Sequence, residues 1–150
     1  MRAFPPEASN PGGRHPRPDP DDRPVGVPLG MRVLVVDDEE PILGMVCEVL
    51  ADAGYEVLRA RNGIEALDQI KRSRPSLILL DMRMPVMDGW RFAAALSREQ
   101  LAIPVVVMTA AEDARRWAAE IGAEGYLAKP FDLDHLLDVV RLHAEPPRSN

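Results

Sequence analysis

Leu77-Ile78-Leu79-Leu80-Asp81 is a run of four apolar residues that ends in a carboxylate. So short an unbroken apolar run reads as a strand buried on both faces of a parallel sheet. An aspartate closing it needs a partner or a site, because a bare buried charge is strongly unfavourable. Two further runs share this character. Val33-Leu34-Val35-Val36 is followed by Asp37-Asp38, and Val105-Val106-Val107-Met108, opened by Pro104, is followed by Thr109. Two more runs are mixed. Residues 55 to 60 alternate loosely, and the short Gly125-Tyr126-Leu127-Ala128 leads at once into Lys129-Pro130.

Segments of helical spacing lie between these runs. Within 40 to 53, Ile42, Val46, Val49, Leu50 and Ala53 share a face. Asp38 is placed to cap this helix, Pro41 suits its first turn and Gly54 ends it. Asn62 followed by Glu65 has the form of a capping box and opens a helix to about Arg72. Further helices are expected from about Asp88 to Arg98, from about Glu112 to Ile121 with Gly122 closing it, and near 132 to 143. Five strands and five helices in strict alternation imply a parallel sheet covered on both faces. The apolar strands belong inside it and the mixed ones at its edges. The expected fold is therefore α/β and doubly wound, with the flavodoxin-like strand order 2-1-3-4-5.

Residues 1 to 30 differ from the rest. They hold eight of the 15 prolines and four of the ten glycines, with no apolar periodicity. Such a stretch cannot bury enough surface to offset its ordering entropy, so it is expected to be a disordered arm. Met31 directly precedes the first strand, so a start codon assigned too early would produce the same stretch; the arm is the preferred reading. The ordered domain is expected to span 31 to 143, with a short disordered tail at 144 to 150.

Hydrophobic residues make up 46% and charged residues 28%, an ordinary balance for a soluble domain with a core. The net charge of -6 does not favour nonspecific nucleic-acid binding. The one cysteine, Cys47, excludes an internal disulfide and is expected to be packing. No apolar run has the length of a membrane span and no secretory signal opens the chain, so a cytoplasmic location is expected.

Ligands of such sheets bind beyond the carboxyl ends of the strands, where strand order reverses; here that is between strands one and three. Asp37, Asp38, Asp81, Thr109 and Lys129 all fall at that rim. Three converging carboxylates repel one another unless one takes a proton or a cation joins them, and Mg2+ is the natural hard cation. An ionised aspartate can attack phosphorus to form an acyl phosphate. Metal and lysine would neutralise the developing charge, and a threonine hydroxyl could donate to the phosphoryl oxygens. Each residue alone has a plainer reading. Asp37-Asp38 could be helix N-terminal acids, Thr109 a strand-end hydroxyl, Tyr126 a half-buried aromatic and Lys129 a solvated charge. All five polar groups at one rim argue for chemistry. Trp90 is expected to be packing, and His15, His135 and His143 surface residues.

Asp37-Asp38, Asp81-Met-Arg-Met-Pro85 with Asp88-Gly89 after it, Thr109-Ala110, and Gly125-Tyr126-Leu-Ala-Lys129-Pro130-Phe131 together resemble the response-regulator receiver family of two-component signalling, over 31 to about 143. The resemblance implies that Asp81 is the phosphoacceptor, supplied by a sensor histidine kinase or a histidine phosphotransfer protein. It implies that Asp38 and Asp81 bind Mg2+ directly, Asp37 closely or through water, and that the backbone carbonyl of Arg83 is a further ligand. Lys129 would pair with the phosphoryl group, Thr109 would move toward it and Tyr126 would swing inward behind it. A cis Lys129–Pro130 bond is common in the family, and Arg83 and Ala111 occupy positions that tune dephosphorylation there. The face of helix four, strand five and helix five would meet an unidentified downstream protein, and here it carries Arg115, Arg116 and Trp117. With too few residues after 143 for an output module, signalling by docking or phosphorelay is expected, from a monomer or weak dimer.

Other functions fit less well. A phosphohydrolase with an aspartate nucleophile wants a second acid two residues later, where Arg83 stands. A nucleotide or flavin module wants a Gly-rich loop after strand one, where Asp37-Asp38-Glu39-Glu40 stands. A degenerate scaffold would lack some of the site residues, and all are present. No turnover of external substrates is expected.

Overall fold

The computed structural model describes residues 30 to 144. Apart from Gly30 and Ala144, the expected arm, with His15, and the expected tail lie outside the described residues. The elements alternate as β1 (Arg32–Val36), α1 (Glu40–Asp52), β2 (Glu56–Ala60), α2 (Gly63–Arg72), β3 (Leu77–Asp81), α3 (Gly89–Arg98), β4 (Val105–Ala110), α4 (Ala111–Ile121), β5 (Gly125–Lys129) and α5 (Leu133–His143). Every strand pairing is parallel and the order is β2-β1-β3-β4-β5, as the run characters predict. β3 is buried along its whole length, whereas the edge strands β2 and β5 are half exposed.

Alternation along the inner strands feeds two cores. Val33, Val35, Leu77, Leu79, Val106, Met108 and Leu127 pack on one face, with Leu43, Val46, Cys47 and Leu50 of α1 and Leu136 and Val140 of α5. Leu34, Val36, Ile78, Leu80, Val105 and Val107 pack on the other, with Phe92 of α3 and Trp117 of α4. The α1 face is therefore centred one position away from the sequence reading. Leu43 and Cys47 are buried, while Ile42, Val49 and Ala53 are partly buried beside them. Among the described residues no helix is long and apolar enough to cross a membrane.

Local chemistry sets the helix ends. Asn62 accepts from the Glu65 N–H, and Glu65 reaches back to the Arg61 N–H, one residue before the cap. Asp88 and Asp132 cap α3 and α5 by accepting from Arg91 and His135. Gly122 closes α4 in the left-handed conformation, φ 68°. Asp38 does not cap α1. The cap position is Glu39, with no side-chain cap bond, and Asp37 Oδ1 accepts the Glu39 N–H at 2.9 Å. The helix begins one residue later than a capping Asp38 requires, so Asp38 stays in the β1–α1 turn at the rim.

Gly89 fixes how closely α3 approaches the end of β3. A β-carbon there would stand 2.5 Å from Met82 Sδ and 2.8 Å from Met82 Cα. At Gly44, inside α1, nothing lies within 4 Å of such a carbon. Gly89→Ala is expected to destabilise the fold by about 1–3 kcal/mol through overpacking. Gly44→Ala is expected to stabilise it by up to about 1 kcal/mol through helix propensity. Urea denaturation midpoints of the two variants check both signs.

Candidate functional site

The parallel register brings the carboxyl ends of β1, β3, β4 and β5 to one rim. Asp37 follows β1, its N–H continuing the ladder to the Ala60 carbonyl at 3.1 Å. Asp81 is the last residue of β3, Thr109 the penultimate residue of β4 and Lys129 the last of β5. Strand alternation puts Asp37, Asp81 and Lys129 on the face that carries α1 and α5. There Lys129 Nζ lies 2.9 Å from Asp37 Oδ2, 3.9 Å from Asp81 Oδ1 and 3.7 Å from Glu39 Oε1. Asp37 is fully buried and Asp81 is 6% exposed, while Asp38 is exposed beside them. Asp37, Asp38 and Asp81 each offer an oxygen within 4.8 Å of the other two.

This geometry leaves Asp81 short of compensation. Burial pushes its carboxyl up from an ordinary value near 3.8 to about 7, and the neighbouring Asp37 pushes the same way. Lys129 and the backbone N–H of Arg83 oppose this, and Asp38 adds a smaller upward push. Burial alone would lower the Lys129 ammonium. Its hydrogen bond to Asp37, with the charges of Asp81, Asp37 and Glu39, instead holds it above its usual value. The ammonium is thus a resident cation in an acidic crevice that still carries excess negative charge. Hard oxygen donors so placed fit one divalent ion, bound directly or through its water shell. Both Asp37 oxygens already accept hydrogen bonds, which leaves Asp38 and Asp81 as the freer donors.

Thr109 and Tyr126 occupy the other face of the sheet. Asp81 is in register with Met108, so Thr109 lies one step further along the neighbouring strand, and Tyr126 pairs with Val107. By alternation both belong with Val107 on the side of α4. Thr109 is 5% exposed, whereas the Tyr126 side chain is outward at 43%. The structure therefore gathers Asp37, Asp38, Asp81 and Lys129 closely and sets Thr109 and Tyr126 behind them. The Lys129–Pro130 bond is cis.

Sequence reasoning missed Glu39, whose place near Lys129 shows only once β5 is laid three positions from β1, with β3 and β4 between them. It also misplaced Trp117. This residue is 6% exposed, packed edge-on to Trp90 with ring centroids 4.9 Å apart, and so is not part of the outer face of α4. The helix turns it inward because Ala114, Trp117 and Ala118 form its buried stripe. Trp90 is packing, as expected, with its Nε1–H donated to Glu120. His135 is exposed, but His143 is partly buried, its ring against Gly125.

Residues 33–141 match the family model described as the response regulator receiver domain. The chain belongs to the response-regulator receiver family. The chain is 38% identical over 124 residues to sporulation initiation phosphotransferase F of Bacillus subtilis, a match covering 81% of this chain and 99% of that protein. It is 41% identical over 120 residues to the phosphate regulon transcriptional regulatory protein PhoB of Pseudomonas aeruginosa, where the match covers 77% of this chain and only 52% of PhoB. The chain thus spans nearly all of one relative and about half of the other. Among solved structures it resembles the chemotaxis protein CheY4 of Vibrio cholerae, at 36% identity and TM-score 0.68, covering 75% of this chain and 98% of that one. As a receiver, the protein is a phosphoryl-accepting signalling switch and not a turnover enzyme.

The raised Asp81 carboxyl ties stability to pH. Its folded value lies above its unfolded one, so the native receiver binds the extra proton between about 4 and about 7. That stabilisation is complete below the unfolded value and is lost as pH rises through about 7. Asp81→Asn removes the loss. In chelator, the variant is expected to be more stable than wild type at pH 8 by on the order of 1–3 kcal/mol. The advantage should disappear below about pH 4, where wild-type Asp81 becomes protonated in both states. Thermal denaturation at the two pH values checks this.

Proposed function

We propose that this receiver accepts a phosphoryl group on Asp81 from the phosphohistidine of a sensor kinase or a histidine phosphotransfer protein, with Mg2+ at Asp38 and Asp81. The observation that carries the reading is the convergence of Asp37, Asp38 and Asp81 around the Lys129 ammonium at one rim. An Asp81 carboxylate oxygen forms the new O–P bond as the donor N–P bond breaks. The imidazole keeps the bonding pair and takes a proton. Mg2+, when bound, supplies charge neutralisation for the transferring oxygens. Asp38 and Asp81 would hold it directly, Asp37 closely or through water, with the Arg83 carbonyl as a further oxygen donor. The ammonium of Lys129 pairs with one phosphoryl oxygen and Thr109 donates to another from the far side of the rim.

The folded unit we assign to this function is 31 to 143, and a cytoplasmic location accompanies the phosphohistidine donor. The signal leaves through the face of α4, β5 and α5. Phosphate adds nearly two negative charges, which favours the state with Thr109 and Tyr126 drawn inward. The outward Tyr126 and the exposed Arg115 and Arg116 support that assignment, with Trp117 left out of it. A downstream protein meets this face.

Incubation with acetyl phosphate and Mg2+ is expected to give a single phosphoryl adduct on wild type by intact mass, none on Asp81→Asn and none in excess chelator. Lys129→Met is expected to slow adduct formation by on the order of 10²-fold, the loss of one preorganised charge at the transition state. Equal adducts on wild type and Asp81→Asn would refute the assignment.

A further inference from the structure

The Arg83 guanidinium stands two residues from Asp81, yet it does not face the acids. Its Cζ lies 5.1 Å from the ring centroid of Trp117, a residue of α4. The same ring receives Arg116 at 5.8 Å. The two cations are held differently. Arg116 is anchored on its own helix by Asp113 at 2.6 Å and, more distantly, by Glu120 at 4.0 Å. Arg83 is exposed and, among the described residues, makes no ion pair. Trp117 itself is fixed, packed against Trp90, which donates to Glu120. One free cation thus spans from the acceptor loop to the helix that borders the signalling face.

We infer that Arg83 is a displaceable latch: its guanidinium rests on Trp117 while Asp81 is unmodified, and moves to the phosphoryl oxygens once Asp81 is phosphorylated, releasing α4. The inference rests on Asp81 being the acceptor. Its direction follows from relative strengths. An exposed cation–π contact is a weak interaction. A guanidinium paired with phosphoryl oxygens makes charge-assisted, geometrically matched hydrogen bonds, which are stronger. Arg83 is already tied to Asp81 through its backbone N–H, so the side chain has only to turn about its own stem. When it leaves, Trp117 keeps the anchored Arg116 but loses its link to the β3–α3 loop. This route to α4 runs through residue 83 and is separate from that of Thr109 and Tyr126.

The chain has two tryptophans, so Trp90→Phe leaves Trp117 as the sole indole. In that background, emission and acrylamide quenching of Trp117 are measured before and after acetyl phosphate with Mg2+, with adduct followed by intact mass. Phosphorylation is expected to shift the emission and raise the quenching. Adding Arg83→Met, which keeps much of the stem without the charge, should give the raised quenching before phosphorylation. Compared at equal adduct, the phosphorylation-dependent change should then be lost. Arg83→Lys should restore part of that change, because the ammonium can still make the move. If Arg83→Met responds to equal adduct as its parent does, the latch is wrong. Adduct on the parent without any Trp117 response also overturns it, leaving the Asp81 assignment standing. No adduct on the parent removes both. Should Trp90→Phe fail to fold, the same comparison with both tryptophans present decides.

Discussion

Three carboxylates held at one rim of a parallel sheet, with one ammonium among them, form the constraint on which the site depends. The Lys129–Asp37 ion pair joins residues 92 apart in sequence, from the end of β5 to the end of β1. Only the full strand order, with β3 and β4 between them, makes that pairing possible. Full burial fixes the pair: Asp37 is closed off from water and must keep both its Lys129 and Glu39 partners. Asp81, beside them, is left undercompensated and is therefore the group most changed by the arrival of a proton, a divalent ion or a phosphoryl group. One electrostatic imbalance thus underlies the raised Asp81 carboxyl and gives the three acids a geometry that could hold a divalent ion.

The sheet also separates two groups of rim residues. Residues of one strand parity, Asp37, Asp81 and Lys129, lie over α1 and α5. Residues of the other, Thr109 and Tyr126, lie toward α4. The acid and lysine cluster and the Thr109–Tyr126 pair therefore sit on opposite faces of strands only a residue apart. The β3–α3 loop bridges the two sides. It carries Arg83, contacts α4 through Trp117 and is pinned at its far end by Gly89 against Met82.

The fold was legible because its cues are local. Apolar runs marked the inner strands, Asn62 and Glu65 marked the start of α2, and Gly122 marked the end of α4. The rim residues were legible for the same reason: each closes or follows a run. What was not legible depended on rotation and distance. A shift of one position moves a residue about a quarter-turn round a helix, which is why Leu43 and Cys47, not Ile42 and Val49, are deepest in α1. Trp117 read as an outer-face residue because its neighbours Arg115 and Arg116 are charged, and Ala114 and Ala118 gave too weak an apolar signal to mark an inward stripe. Glu39 belongs with Lys129 only in three dimensions.

The central claim is that the rim acids carry unsatisfied negative charge that one divalent ion relieves. Its most direct measurement is the melting temperature of the wild-type receiver against Mg2+ concentration, at pH 8 and at pH 5, beside Asp38→Asn. The account predicts a saturable rise at pH 8, a smaller one at pH 5 where the proton competes for Asp81, and a rise displaced to much higher Mg2+ in Asp38→Asn. An equal rise in all three cases, or none in wild type at pH 8, would contradict it.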